Sequence, residues 1–383
     1  MVKKITFSTE PAFINRKQEI QHLSHWISRK PNNILFIYGP KSSGKTTLLM
    51  KFINEHLKNN IYNVQFFNLR KMLISNYLDF IQAFFEVDLS KSNEDYKHKQ
   101  EYNFKVFKLS KETIKRLENK SLDPFLVMEK EFLTIVKKGK CPIIIIDELQ
   151  ALENIYLNGQ RELLKELFNF FVAMTKESHL CHVIISSSDG YFMNRIYEDS
   201  KLSKTSEFFE IDYLNEQDTK YWLSHLKKES SITAFTLTDS QIDTIWKSVG
   251  GSTWEIDSIL GKLLAYEQSG KIEDVNLLQV INHLITINKG RCGHYVGLYE
   301  NKFALFKKIY LLQQETHEFQ ERDLRNLVTD NLYQIDDLRN ELCNLVKKNF
   351  LSFNPATSFY KLQGKSMFYG IKEFIESNDF HIM

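Results

Sequence analysis

The chain has 383 residues, 43% hydrophobic and 26% charged, which fits a folded protein of two or three domains and excludes a disordered, collagenous or low-complexity chain. Its 50 Lys and Arg against 48 Asp and Glu leave a formal charge of +2. That is too little for a long-range field toward nucleic acid or anionic lipid, so any such contact must come from a local patch. No stretch approaches the roughly 18 uncharged apolar residues that cross a bilayer, and the first residues, Met1 to Ser8, lack a signal-peptide core. The expectation is a cytoplasmic protein with no membrane partner. Cys141, Cys181, Cys292 and Cys343 are widely spaced with no C-x-x-C pair, which argues against a disulfide framework or a usual zinc site. Cys181-His182 and Cys292/His294 are a set that would in principle meet around a metal, but Cys181 opens an apolar run and reads as a packing residue.

In chain order, Phe13-Ile14-Asn15-Arg16-Lys17-Gln18-Glu19-Ile20 leads into Leu23, Trp26 and Ile27, apolar positions at helical spacing. Ile34 to Tyr38 is an uncharged apolar run and reads as a buried strand. Behind it, Gly39-Pro40-Lys41-Ser42-Ser43-Gly44-Lys45-Thr46 completes the pattern G-x-x-x-x-G-K-[ST]. Strand, glycine loop and helix in that order carry a mechanism. The turn allowed by Gly39 and Gly44 lets successive backbone N–H groups within residues 39–47, Thr47 included and Pro40 excepted, converge on a polyphosphate at the positive end of the following helix. Lys45 then reaches the β- and γ-phosphates and Thr46 ligates Mg²⁺. A helix at 17–27 would lay its first turn over the base.

Leu48, Leu49, Phe52, Ile53 and Leu57 continue that helix to Asn59-Asn60, and Ile61 to Leu69 reads as a second strand. From Lys71 to Lys140 the pattern reads as a helical, lysine-rich insertion; Lys91 to Lys120 holds nine basic and five acidic residues, read as a solvated face in preference to a partner contact. Asp123-Pro124 supplies an N-cap and first-turn proline for a helix burying Phe125, Met128, Phe132, Ile135 and Val136.

Cys141 to Glu148 places four isoleucines before two carboxylates, a central strand buried on both faces. At the carboxyl edge of a parallel sheet, Asp147 fits metal coordination and Glu148 fits orienting and deprotonating a water. A helix over 160–176 and a strand over 182–188 follow. Ser187 or Ser188 at its end either senses the γ-phosphate or forms a serine-rich turn. Phe208 to Ile211 reads as the last strand of this part. Beyond Leu214, helices at 218–226, 239–249 and 254–264, with Gly250-Gly251 closing the second, suit a helical lid. Helices around 303–312, 321–327 and 334–346, then two apolar runs flanking Asn354-Pro355-Ala356-Thr357, describe a winged helix. The expected architecture is α/β: a P-loop parallel sheet flanked by helices over 1–213, with an insertion at about 71–140, a helical lid over 214–298 and a winged-helix domain over 299–383.

With these residues in hand, the chain resembles the archaeal ATPase family, a branch of the STAND and AAA+ P-loop NTPases. Residues 13–20 resemble that family's F-h-G-R-x-x-E-h box, 39–46 its Walker A motif, 143–150 its Walker B motif with the Asp-Glu-x-Gln ending, and 184–190 its sensor strand. The resemblance implies a five-stranded sheet, a lid, a winged helix, and ATP bound and hydrolysed with Mg²⁺. Asn15 stands where the box usually has glycine, Ser203-Lys204 where the family tends to Gly-Arg, and Gly250-Gly251-Ser252-Thr253 lacks the usual proline. A lysine offers a point charge in place of a planar fork, so Arg195 becomes the substitute for stabilising transition-state charge, with a surface ion pair as its other reading.

Two functions from different classes follow. One is an ATPase whose nucleotide state moves the lid and winged helix. The other is an ATP-gated switch with little hydrolysis that takes a protein or DNA partner at the C-terminal domain, with a nucleotide-dependent oligomer left open. DNA is the weaker partner, because the candidate recognition helix opens with Asp336-Asp337 and leaves only Lys347, Lys348, Lys361 and Lys365 for backbone contacts. A P-loop kinase needs neither the helical tail nor Glu148 and is disfavoured.

Overall fold

The structure, a computed structural model, describes residues 12–58, 60–88, 107–157, 159–199 and 202–378. Five strands form its central sheet: β1 (Ile34–Tyr38), β2 (Tyr62–Asn68), β3 (Cys141–Asp147), β4 (His182–Ser186) and β5 (Ser206–Glu210). They are all parallel, in the order β2-β3-β4-β1-β5. Alternate residues of each strand face opposite sides. Leu35, Ile37, Ile143, Ile145 and Ile184 pack under α1 (Lys17–Ser28) and α2 (Lys45–His56), against Leu23, Trp26, Leu48 and Phe52. Phe36, Ile144, Ile146, Val183 and Ile185 pack on the opposite side against Phe132, Leu167, Phe168 and Phe171. Burial on both faces is why β3 needs isoleucine at four positions in a row.

The segment read as a helical insertion differs in two ways. It contains helices Tyr77–Phe84, Lys111–Glu118 and Pro124–Lys137, but also a parallel two-stranded ladder between Phe85–Val87 and Phe107–Leu109. Residues 89–106, which carry much of the lysine run, lie outside the described residues. Helix Pro124–Lys137, with Asp123 accepting from Phe125 N, brings Met128 and Phe132 into the core beneath the sheet. It is therefore the crossover that a parallel β2-to-β3 connection requires, not an appendage. The helix expected over 160–176 begins only at Leu163, because Arg161-Glu162 pairs with Tyr156-Leu157, and it ends in a π-turn at Ala173–Glu177.

After β5 come helices Glu216–Ser224, Asp239–Val249 and Thr253–Leu263, whose Trp222, Ile245, Ile256 and Leu260 form one core. The 23-residue helix Asp274–Val296 has no expectation behind it. Its apolar residues make no single stripe, because Leu277 to Ile285 enter that core while Cys292 and Val296 enter the next one. This last core is built by helices Glu300–Glu315, Ile335–Lys347 and Lys365–Asn378 with the antiparallel hairpin Leu351–Asn354/Phe359–Leu362.

Phe132 is fully buried against Phe107 and Phe170. Phe132→Ala should lower unfolding free energy by about 3–5 kcal/mol in a denaturant titration; a change typical of a surface site would show that the crossover helix is not part of the core.

Candidate functional site

Register places the site. Ile37 of β1, Ser186 of β4, Asp147 of β3 and Asn68 of β2 lie side by side in one row at the carboxyl edge of the sheet. The chain turns back at Gly39, where a Cβ would overlap the Ile211 carbonyl, and reaches α2 through Gly44 at φ 90, backbone that favours glycine. No side chain caps Gly44, so the first amides of α2 are left for a ligand. Around this loop lies a cavity of about 250 Å³, lined by Lys41 to Thr47, Arg70, Glu148 and Ser188 on the phosphate side. Phe13 and Ile14, from the segment before α1, line its apolar side together with Leu214 and Trp254.

Lys45 is buried, and its Nζ donates to the carbonyls of Gly39 at 2.9 Å and Pro40 at 2.8 Å. Desolvation pushes its pKa down to about 8, against the attraction of Glu148 and Asp147. Its ammonium is thus folded onto the loop and has to turn outward to meet a phosphate. Thr46 Oγ1 donates to Asp147 Oδ2 at 2.7 Å, and Asn68 Nδ2 reaches the same oxygen at 3.4 Å. Asn68 Oδ1 and Ser186 Oγ are buried beside this group without a hydrogen-bond partner. A hydroxyl and a carboxylate, both hard oxygen donors and already adjacent, fit Mg²⁺.

Glu148 stands at φ 63, left-handed backbone that is uncommon outside glycine and recurs at functional sites. Its Oε1 accepts from Arg70 and its Oε2 from Gln150. Gln150 Oε1 in turn accepts from Ser187 Oγ at 2.9 Å. Burial raises the Glu148 pKa, Arg70 lowers it and Asp147 raises it. Ser187, expected to touch the nucleotide, therefore faces Gln150, and its neighbour Ser188 lines the cavity instead. Arg195 lies in helix Gly190–Asp199, with its side chain outside the described residues.

Sequence reasoning passed over Arg70, which follows the end of β2 by two residues, and gave Gln150 no role beyond a motif ending. Arg16 is a further site residue: Nη2 donates to the carbonyls of Ser43 at 2.9 Å and Asp212 at 2.8 Å, and Nη1 pairs with Glu19 at 2.7 Å. It fastens α1, the phosphate loop and the chain leaving β5 to one another. Asn15, in the glycine position of the family box, has φ 40 and is held by Asp218 at 2.6 Å, which shows why that position favours glycine or asparagine.

Residues 13–259 match the family described as an ATPase domain predominantly from Archaea, and the chain belongs to that family. It is thus an ATP-binding P-loop protein of the archaeal ATPase class. An uncharacterized ATP-binding protein of Methanocaldococcus jannaschii is 34% identical over 375 residues, covering 95% of each chain. A second from the same organism is 43% identical over 210 residues, covering 54% of this chain and 61% of its own. Among solved structures, a Walker-type ATPase of Pyrococcus abyssi aligns with TM-score 0.63 at 15% identity, over 96% of this chain and 99% of that one. The ORC2 protein of Aeropyrum pernix aligns with TM-score 0.54 at 10% identity, over 97% and 96%. Both likenesses show the fold. No helix among the described residues is long and apolar enough to cross a membrane.

The Lys45 ammonium, charged below about pH 8, is the form that would pair with a phosphate. ATP affinity measured by calorimetry should therefore fall on the order of tenfold from pH 7.5 to pH 9 as the free protein loses that proton. Lys45→Met should bind weakly at both pH values; an unchanged slope in that variant would remove Lys45 as its source.

Proposed function

We propose that the protein hydrolyses ATP with Mg²⁺ and that nucleotide state sets the position of its lid and C-terminal unit. The observation that carries this reading is the meeting of Lys45, Thr46 and Glu148 around one cavity, with Asp147 bonded to Thr46 behind it. The amides of residues 42–47 take the phosphate oxygens, and Lys45 leaves the Gly39 and Pro40 carbonyls for the β- and γ-phosphates. Thr46 and Asp147 would hold Mg²⁺, which supplies charge neutralisation on those oxygens. Glu148 orients a water in line with the γ-phosphorus and takes its proton as the new P–O bond forms and the bond to the β-phosphate oxygen breaks. Desolvation, by raising its pKa, brings this carboxylate nearer to a neutral-pH base.

Both Glu148 oxygens are engaged without nucleotide, so the base has to be released before it works. A γ-phosphate offers Arg70 another anion at the mouth of the same cavity. The domain reading is kept as part of this proposal: a nucleotide unit to residue 213, a lid over 214–298 and a winged helix from 299. Arg195 remains its candidate for an additional charge on the transition state.

The same clamp favours a second reading, a nucleotide-gated switch with slow turnover that recruits a partner through the C-terminal unit. For DNA the local charges are poor. Asp336 and Asp337 open helix Ile335–Lys347, Lys361 pairs with Glu210 and Asp212, and Lys365 lies over the Trp246 ring. A protein partner suits this surface better.

Single-turnover hydrolysis should slow at least about 100-fold in Glu148→Gln while MgATP affinity stays within threefold; equal rates would take Glu148 out of the chemistry. Because Arg70 lowers the Glu148 pKa, Arg70→Ala should move the acid limb of the kcat/KM–pH profile, which reports the free enzyme, to higher pH. A limb that stays in place would mean that Arg70 does not act on this carboxylate.

A further inference from the structure

The phosphate loop is held from outside the nucleotide unit. Lys41 N donates at 3.1 Å to Oε1 of Gln363, a residue 322 positions further along the chain, just after the C-terminal hairpin. Gln363 is buried, and its Nε2 donates to the Leu351 carbonyl at 3.0 Å, so the amide is fixed by the hairpin at one end and spent on the loop at the other. The Tyr213 hydroxyl donates to the Lys41 carbonyl at 3.0 Å and lies 3.2 Å from the same Gln363 oxygen. Both backbone polar groups of Lys41 are thus occupied by residues outside the loop. The next residue, Ser42, has φ 63, and its carbonyl accepts from Thr253 Oγ1 of the lid at 2.9 Å.

The hairpin that supplies Gln363 is docked and does not hang free. Lys361 pairs with Asp212 at 2.5 Å and Glu210 at 3.3 Å, and Tyr38 OH donates to Asn354 Oδ1 at 3.0 Å. Tyr191 stacks on Phe353 with ring centroids 4.8 Å apart. A Cβ at Gly190 would overlap the Phe353 carbonyl, so the two units meet here backbone to backbone.

We propose that Gln363 is a positioning residue for nucleotide binding: by fixing the Lys41 peptide it aims the amides of Ser42 to Thr46, so the phosphate site is complete only while the hairpin is docked. Loop amides that are already aimed lose less freedom when phosphate binds. By linkage, bound MgATP must then hold the hairpin in place by the same factor that the hairpin improves MgATP affinity. A partner that pulled the hairpin away would lower nucleotide affinity without touching the nucleotide. This inference rests on the ATP-binding reading above.

The test uses the full chain. Gln363→Met keeps the volume and removes the acceptor; it should weaken MgATP about fivefold to tenfold by calorimetry, with kcat at saturation within twofold. Hydrogen exchange of residues 351–362 is the readout that a merely structural role would not move. MgATP should slow that exchange in the wild type and leave it unchanged in Gln363→Met. If Gln363→Met does not fold, Tyr213→Phe serves in its place, with a loss of affinity and of ATP-dependent protection in the same direction. Wild type that binds no MgATP would overturn the ATP reading itself. Wild type that binds, with variants of equal affinity or with hairpin exchange unchanged or faster on MgATP, would overturn the positioning role alone.

Discussion

Burial of the Lys45 ammonium next to two carboxylates, at the carboxyl edge of a parallel sheet, is the constraint on which the site depends. A lysine that loses water is held charged only by nearby anions and carbonyls. Asp147 and Glu148 provide the first, and the Gly39 and Pro40 carbonyls provide the second. That arrangement requires β3 to end level with the loop after β1, although β4 lies between them, and the shared row through Ile37, Ser186 and Asp147 gives this alignment. The site is closed on itself, with its cation on loop carbonyls and its acid on Arg70.

Such a self-satisfied site resolves a conflict that open P-loops face. Buried charges without partners are costly, yet catalysis needs them available. Here each functional group has a resident partner that a phosphate can replace. In the proposed reaction, carbonyls of the loop would be exchanged for β- and γ-oxygens around Lys45, and a glutamate for a γ-oxygen beside Arg70. The same logic extends outward through Arg16, Thr253 and Gln363, each of which spends a polar group on the loop backbone from a different part of the chain. A loop of eight residues is thereby tied to the start of α1, to helix Thr253–Leu263 and to the C-terminal hairpin.

Much of this was legible beforehand where the signal was local. The loop from Gly39 to Thr46, the isoleucine run ending in Asp147-Glu148, and the strand after Cys181 announce themselves through spacing and burial need, and the structure places them as read. Legibility failed where the deciding contact was remote. Phe85–Val87 pairs with Phe107–Leu109 across residues whose composition suggested helix, so pairing overrode local preference. Helix Asp274–Val296 carries no amphipathic stripe because it serves two cores in succession. Ser187 and Ser188 were interchangeable on paper, and only the position of Gln150 decided which of them faces the cavity.

The amino-acid sequence by itself determined the chemistry available: a glycine loop ending in Lys45 and Thr46, and a pair of acids at the end of a strand too apolar to lie anywhere but the centre of a sheet. Tertiary structure decided which partner each group has. Arg70, Tyr213 and Gln363 belong to no motif, and their roles come from atoms brought within about 3 Å of the loop or the acid by packing that spans the whole chain. Hydrogen bonds act over that distance and no further, so a partner hundreds of residues away leaves no periodicity or spacing to read.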